Sequence, residues 1–192
     1  MASKTDLKTA LLVIDMQNVF EPMTTTALPN IVKLSKYFGE KGWPQFFTQH
    51  GHPESDFKEP ITNQLVRKWG ESGSIQVLNS IPPWRLIPAI QKLQEAAKAP
   101  VIPKSTYDAF LYTDLEDRLC AEEVERVVVT GVMTDCCCDT TGRGAFNRGF
   151  ETWMVGNGVG SASEEQHERG LKAWAFGYGE VVGTEEVLRR LG

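Results

Sequence analysis

The chain has 192 residues, of which 41% are hydrophobic and 23% are charged, and its formal net charge is −5. This length suits one domain with a sizeable core, so we expect a single domain over residues 1–192. An acidic chain without a basic patch is a poor binder of nucleic acid or of anionic membranes. No apolar run approaches the roughly 20 residues that cross a bilayer, and the first residues show no signal core. We therefore expect a cytoplasmic protein, with export by a leaderless route as the open alternative.

Apolar, β-branched runs alternate along the chain with segments of helical spacing. The short runs predict strands at residues 10–15, 45–48, 101–103, 126–130, 151–155 and 180–182. The helical segments, several of them bounded by glycine or proline, lie at 28–39, 63–69, 88–98, 114–123, from 134 to 148, from 163 onward and through 191. This alternation predicts an α/β fold, a Rossmann-like three-layer sandwich with a mainly parallel central sheet and helices on both faces.

Three chemically different side chains lie at or just beyond predicted strand ends. They are Asp15, Lys104 and Cys137. Because the carboxyl ends of parallel strands meet at one edge of a sheet, and ligands bind beyond that edge, we expect these groups to converge there. Asp15 can take the proton of a cysteine nucleophile, and Lys104 can keep that carboxylate ionised.

Three of the four cysteines are consecutive, from Cys136 to Cys138, at the start of a predicted helix. Adjacent cysteines pair only with strain, so we expect no disulfide framework. A thiol in the first turn of a helix lies near the positive end of the helix dipole, which predicts a lowered pKa for Cys137. Cys136 and Cys138 are expected to be packing residues.

The motifs around these residues resemble those of the isochorismatase-like cysteine hydrolases, a superfamily that includes nicotinamidases and N-carbamoyl amide hydrolases. The matching segments are Leu12-Val13-Ile14-Asp15-Met16-Gln17-Asn18-x-Phe20, then Lys104 with Tyr107-Asp108-Ala109-Phe110, and then Thr130-Gly131-Val132-Met133-Thr134-Asp135-x-Cys137. The resemblance extends from about residue 9 to residue 188.

This resemblance implies a catalytic triad of Asp15, Lys104 and Cys137. It also implies a cis peptide between Val132 and Met133, and an oxyanion hole formed by the N–H groups of Met133 and Cys137. We expect the substrate-binding residues to be Gln17, Phe20, His50, Trp69 and Tyr107. A loop cap for His50 and a core position for Trp69 are the alternatives.

The resemblance also bears on metals and assembly. Metal-binding nicotinamidases use an Asp-x-His pair with further histidines, whereas the matching place here reads His50-Gly51-His52 and the third histidine, His167, is far along the chain. We therefore expect no metal and no cofactor. Relatives often assemble, so a homo-oligomer acting on a small molecule is expected.

Weaker sequence similarities elsewhere in the chain favour the isochorismatases within this superfamily. The first candidate reaction is therefore isochorismate plus water giving 2,3-dihydroxy-2,3-dihydrobenzoate and pyruvate. However, several isochorismatases have glycine where Cys137 lies, and a cysteine suits hydrolysis of a C–N bond through a thioester. An amidase is therefore the first alternative, and a non-catalytic binding or effector protein on this scaffold is the second. The spacing Cys137-x5-Arg143 also fits a cysteine phosphatase, although Asp139 inside that loop would repel phosphate.

Overall fold

The computed structural model describes residues 7–192. Its centre is a sheet of six parallel strands in the spatial order β3-β2-β1-β4-β5-β6. The strands are β1 (Thr9–Ile14), β2 (Gln45–His50), β3 (Val101–Lys104), β4 (Arg126–Val132), β5 (Glu151–Gly160) and β6 (Glu180–Val182). The predicted parallel α/β fold is confirmed.

Seven α-helices lie among residues 7–192. They are α1 (Ala27–Glu40), α2 (Gln64–Ser74), α3 (Pro88–Ala97), α4 (Leu115–Ala121), α5 (Asp139–Asn147), α6 (Glu164–Gly177) and α7 (Thr184–Leu191). A π-helical turn over Thr134–Cys138 precedes α5. The Ser163 hydroxyl caps α6 by accepting a hydrogen bond from the N–H of Gln166, and the helix begins close to residue 163, as the sequence predicts.

Two apolar clusters pack against opposite faces of the sheet. One includes Leu12 and Val129, and the other includes Leu11 and Val128, so alternate residues of β1 and β4 point to opposite layers. Every residue of these two strands is buried. Strands that are covered on both faces read as continuous apolar runs, which is why their positions could be predicted from the sequence.

The chain reverses its direction of travel across the sheet between β1 and β4. From β1 it winds outward through β2 to β3, and it then crosses to β4 on the other side of β1. Such a switch point opens a crevice beyond the carboxyl ends of the two strands, where ligands bind in open α/β sheets. Here the residues beyond those ends include Asp15 and Cys137.

Candidate active site

The structure brings Asp15, Lys104 and Cys137 together at the carboxyl edge of the sheet. Asp15 directly follows β1, Lys104 is the last residue of β3, and Cys137 lies on the π-helical turn after β4. Asp15 Oδ2 is 2.6 Å from Lys104 Nζ, and both side chains are fully buried. The Cys137 thiol lies next to both charged groups.

The backbone of Asp15 leaves the strand conformation, with φ at 49°. Aspartate tolerates this left-handed region better than most residues. Its N–H is bound by the hydroxyl of Thr48 on the neighbouring strand β2, at 3.1 Å, and the same hydroxyl donates to Asp15 Oδ1 at 2.6 Å. Thr48 could not be singled out from the sequence, because a threonine inside a strand is ordinary.

Lys104 is held as a buried cation. Burial alone would lower the pKa of its ammonium group, but Asp15 and Cys137 outweigh burial, and the pKa is raised. The ammonium group also donates a hydrogen bond to the carbonyl oxygen of Thr106 at 3.0 Å. Lys104 is therefore a fixed positive charge beside both the carboxylate and the sulfur.

The predicted lowering of the Cys137 pKa is wrong. Burial raises the pKa of this thiol, and Asp15 raises it further, while Lys104 opposes the shift. The helix dipole and the cation of Lys104 do not offset the cost of burying a second anion beside the Asp15 carboxylate. The resting group is a thiol, which must lose its proton to a base when it reacts.

A cavity of about 210 Å³ opens in front of Cys137. Of the residues expected to bind substrate, Phe20, His50, Trp69 and Tyr107 line it, together with both residues expected to supply the oxyanion hole. Other parts of the wall were not predicted from the sequence, namely Val19, Met23, His52, Gly73, Ser74, Val77, Val132, Cys136 and Ala162. Most of these are apolar, and an apolar wall residue reads in a sequence like a core residue.

Gln17 is not part of this wall. Its side chain is fully buried, and its amide donates to the carbonyl oxygens of His50 and Trp84 at 2.9 and 2.7 Å. Its amide oxygen accepts a hydrogen bond from the N–H of His50 at 2.8 Å. Because these backbone groups occupy the amide, Gln17 fixes the end of β2 from behind the cavity.

His50 lies at the inner wall as a neutral ring. Burial lowers its pKa to about 3, and the cation of Lys104 contributes to the shift. The Nδ1 atom is buried without a hydrogen-bond partner among the described residues. The neighbouring ring of His52 is instead bound to Asp56 at 3.0 Å.

Trp69 and Tyr107 meet across the mouth of the cavity. The indole N–H of Trp69 donates to the Tyr107 hydroxyl at 2.7 Å, and Trp69 remains 51% exposed. This exposure excludes the alternative of a core position for Trp69. The contact joins α2 to the loop after β3.

The remaining sequence motifs can be placed as well. The peptide bond between Val132 and Met133 is cis, as the resemblance implies. Cys138 is buried away from the cavity, whereas Cys136 contributes a second thiol to its wall. Arg143 is bound to Asp139 at 2.8 Å and stacks on the ring of Tyr178, so it does not serve an anion site at Cys137.

Two further tests concern metals and membranes. Within residues 7–192 no group of three or more histidine, cysteine, aspartate or glutamate side chains is arranged to hold a metal ion. Over the same residues, no helix combines the length and apolar character that crossing a bilayer requires.

Comparison with known proteins identifies the family to which the chain is similar. Residues 9–186 match the isochorismatase domain. Nicotinamidase 3 of Arabidopsis thaliana is 35% identical over 182 residues, which covers 95% of this chain and 88% of that protein. Enterobactin synthase component B of Escherichia coli K12 is 29% identical over 188 residues, or 94% of this chain, and this chain spans only 62% of that protein's length.

Solved structures agree on the fold. The nicotinamidase/pyrazinamidase PncA of Bacillus subtilis has a TM-score of 0.77 at 25% identity, covering 92% of this chain and 100% of that chain. An isochorismatase family protein of Desulfovibrio vulgaris has a TM-score of 0.79 at 22% identity, covering 96% and 100% of the two chains. Since the domain match spans nearly the whole chain and an Arabidopsis relative is 35% identical, this protein belongs to the isochorismatase domain family of hydrolases.

Proposed function

We propose that this chain is an amidase, which hydrolyses the C–N bond of a small neutral carboxamide through a thioester on Cys137. The observation that carries the proposal is a thiol on the cavity wall, next to a buried Asp15–Lys104 ion pair. A protonated nucleophile with a carboxylate base beside it is the arrangement that covalent acyl transfer requires.

In the first half of the reaction, the Asp15 carboxylate takes the proton of the Cys137 thiol, and the sulfur attacks the amide carbonyl carbon. The carbonyl π electrons move to oxygen, and the N–H groups of Met133 and Cys137 stabilise the resulting oxyanion. Asp15 then gives its proton to the amide nitrogen, the C–N bond breaks, and ammonia or an amine leaves. The acyl group remains on sulfur as a thioester.

In the second half, the Asp15 carboxylate takes a proton from water, and the hydroxide attacks the thioester carbon. The tetrahedral intermediate collapses, the C–S bond breaks, and the carboxylic acid is released. The Cys137 thiolate regains its proton from Asp15. Throughout both halves, Lys104 stabilises whichever neighbour is negative, the carboxylate or the sulfur.

The cavity wall favours a neutral substrate. Among the described residues, no lysine or arginine lines the cavity, and the low pKa of His50 keeps its ring uncharged at neutral pH. Isochorismate carries two carboxylates, which would lose their hydration in this cavity without gaining a cationic partner. A small carboxamide with an apolar or aromatic body avoids that cost. The similarity to a nicotinamidase supports the same choice.

Isochorismate hydrolysis is the second candidate. The match of residues 9–186 to the isochorismatase domain favours it, and it needs only proton delivery by an acid such as Asp15 and attack by water. Cys137 therefore has a different role in each of the two candidate reactions. An amidase requires Cys137 in every turnover, whereas vinyl-ether hydrolysis does not.

The test compares ammonia release from nicotinamide and benzamide with pyruvate release from isochorismate. We expect amide hydrolysis that falls at least a thousandfold in Cys137→Ala, together with an acyl adduct on Cys137 detectable by mass spectrometry. Cys138→Ala is the matched control, since Cys138 is a buried thiol outside the cavity, and it should stay within a few-fold of wild type. Rapid pyruvate release that survives Cys137→Ala would overturn the amidase and establish the second candidate.

A further inference from the structure

The hydroxyl of Thr48 and the catalytic candidate Asp15 form a closed pair of hydrogen bonds. Thr48 Oγ1 accepts from the Asp15 N–H at 3.1 Å and donates to Asp15 Oδ1 at 2.6 Å. One hydroxyl can fill both roles, because it has one proton to give and two lone pairs. Both residues are fully buried.

Each carboxylate oxygen of Asp15 therefore has its own neighbour. Oδ1 accepts from Thr48, and Oδ2 lies 2.6 Å from Lys104 Nζ. A carboxylate held at only one oxygen can turn about its terminal torsion, which is broad and roughly twofold. Two separate partners fix that torsion and hence the direction from which the thiol of Cys137 meets the base.

Thr48 lies outside the cavity. Its position inside β2 places it behind the sheet edge. Because Asp15 has left the strand conformation, its N–H is bound by this side chain. The threonine hydroxyl thus supports both the backbone turn and the carboxylate at the same point.

We propose that Thr48 is a positioning residue, which orients the Asp15 carboxylate and stabilises its ionised form for proton transfer from Cys137. This inference rests on the proposed function, in which Asp15 is the base. A hydrogen bond donated to a carboxylate favours the charged form. Its loss should therefore leave the carboxylate less well held for proton transfer.

The chain offers a matched control on the next strand but one. Thr130 on β4 is also fully buried, and its hydroxyl also makes one strong hydrogen bond, to the carbonyl oxygen of Leu12 at 2.8 Å. A threonine-to-valine change at either site removes a buried hydroxyl and keeps the shape. Only the change at Thr48 removes a partner of Asp15.

The test follows alkylation of Cys137 by iodoacetamide against pH, with fragment mass spectrometry to separate it from the adjacent cysteines. This readout depends on proton transfer to the base and not on knowing the natural substrate. In Thr48→Val we expect alkylation along the acidic limb of the rate profile to slow about tenfold, as expected for the loss of one hydrogen bond to a charged group. Thr48→Ser should restore the wild-type limb, and Thr130→Val should keep it. Thermal unfolding of each variant checks that it folds.

The outcomes separate the two proposals. If Asp15→Asn alkylates with the wild-type profile, the base role fails and the inference about Thr48 fails with it. If Asp15→Asn changes the profile but Thr48→Val does not, the proposed function survives and only the positioning role is overturned. Equal slowing in Thr48→Val and Thr130→Val would likewise overturn it, because it would reflect a general weakening of the sheet.

Discussion

Asp15 and Lys104 form a buried ion pair at the carboxyl edge of the sheet. Both side chains are fully buried and 2.6 Å apart. Removing two charges from water is costly, and their attraction offsets that cost only while both are present. The pair is therefore better understood as a functional arrangement than as a source of stability.

A charge deletion tests this interpretation. We expect Lys104→Met to lose activity and about 3–5 kcal/mol in the free energy of unfolding, because an unpaired carboxylate stays buried. The double variant Asp15→Asn/Lys104→Met should regain most of that stability while remaining inactive. Urea denaturation measures the stability. A double variant as unstable as Lys104→Met alone would contradict the argument.

The buried ring of His50 makes the free energy of unfolding depend on pH. Its pKa is about 3 in the folded protein and near 6.5 in an unfolded chain. Above pH 6.5 both states are neutral and His50 costs nothing. As pH falls from 6.5 toward 3, only the unfolded state gains a proton, so the folded state loses up to about 1.4 kcal/mol per pH unit.

We therefore expect the wild-type free energy of unfolding to fall more steeply than that of His50→Asn between pH 6.5 and pH 4. Urea denaturation at half-unit steps measures both curves. His167→Asn is the control, since His167 is only half-buried and contacts Thr134 at the start of the π-helical turn. Parallel curves for wild type and His50→Asn would show that His50 does not titrate in this way.

At the scale of elements, the crevice depends on the close approach of β1 and β4. Gly131 has φ of +115°, and a Cβ at this position would lie 2.0 Å from the carbonyl oxygen of Ile14. Only glycine allows this approach, and it brings the end of β4 close to the turn that carries Asp15. Gly131 is thus the point at which strand packing sets the geometry of the site.

Two glycine-to-alanine changes separate the energetic cost of a positive φ from the cost of a steric clash. Gly149 also has positive φ, at +90°, but its added Cβ would meet nothing within 4 Å. We expect Gly149→Ala to cost roughly 1–2 kcal/mol from backbone conformation alone. Gly131→Ala should cost more than 3 kcal/mol, because the backbone clash adds to the same strain. Similar losses for the two variants in chemical denaturation would refute the close-approach argument.

The elements could be predicted from the sequence wherever local signals and packing agree. Strands β1 and β4 are continuous apolar runs, and α6 begins close to residue 163, where helical spacing begins in the sequence. The extension of β5 to Gly160 and the π-helical turn were not predicted, because they depend on neighbours across the sheet and not on local propensity. Asp15, Lys104 and Cys137 could be found because strand ends converge. The pKa of Cys137 could not, because burial is decided by the whole fold.

At the scale of the whole molecule, the homo-oligomer implied by the resemblance stays a prediction. Among the described residues, Phe176 and Tyr112 are almost fully exposed, at 96% and 92%. Light scattering coupled to size-exclusion chromatography measures the mass directly. A mass above the 21.4 kDa of one chain across a tenfold dilution is the expected result, and a constant monomer mass would contradict it.

The cavity wall combines residues at the strand ends with residues of a long connection. Asp15, Lys104 and Cys137 lie at or just beyond the carboxyl ends of β1, β3 and β4, whereas His52, Trp69, Gly73, Ser74 and Val77 come from the long connection between β2 and α3. Hydrogen bonds anchor this connection to the rest of the site, among them those from Gln17 to the carbonyl oxygen of Trp84 and from Trp69 to Tyr107. The connection thus supplies part of the cavity wall but none of Asp15, Lys104 and Cys137. In the proposed amidase, exchanging it for the connection of a relative should change which acyl group is accepted and leave those three residues in place.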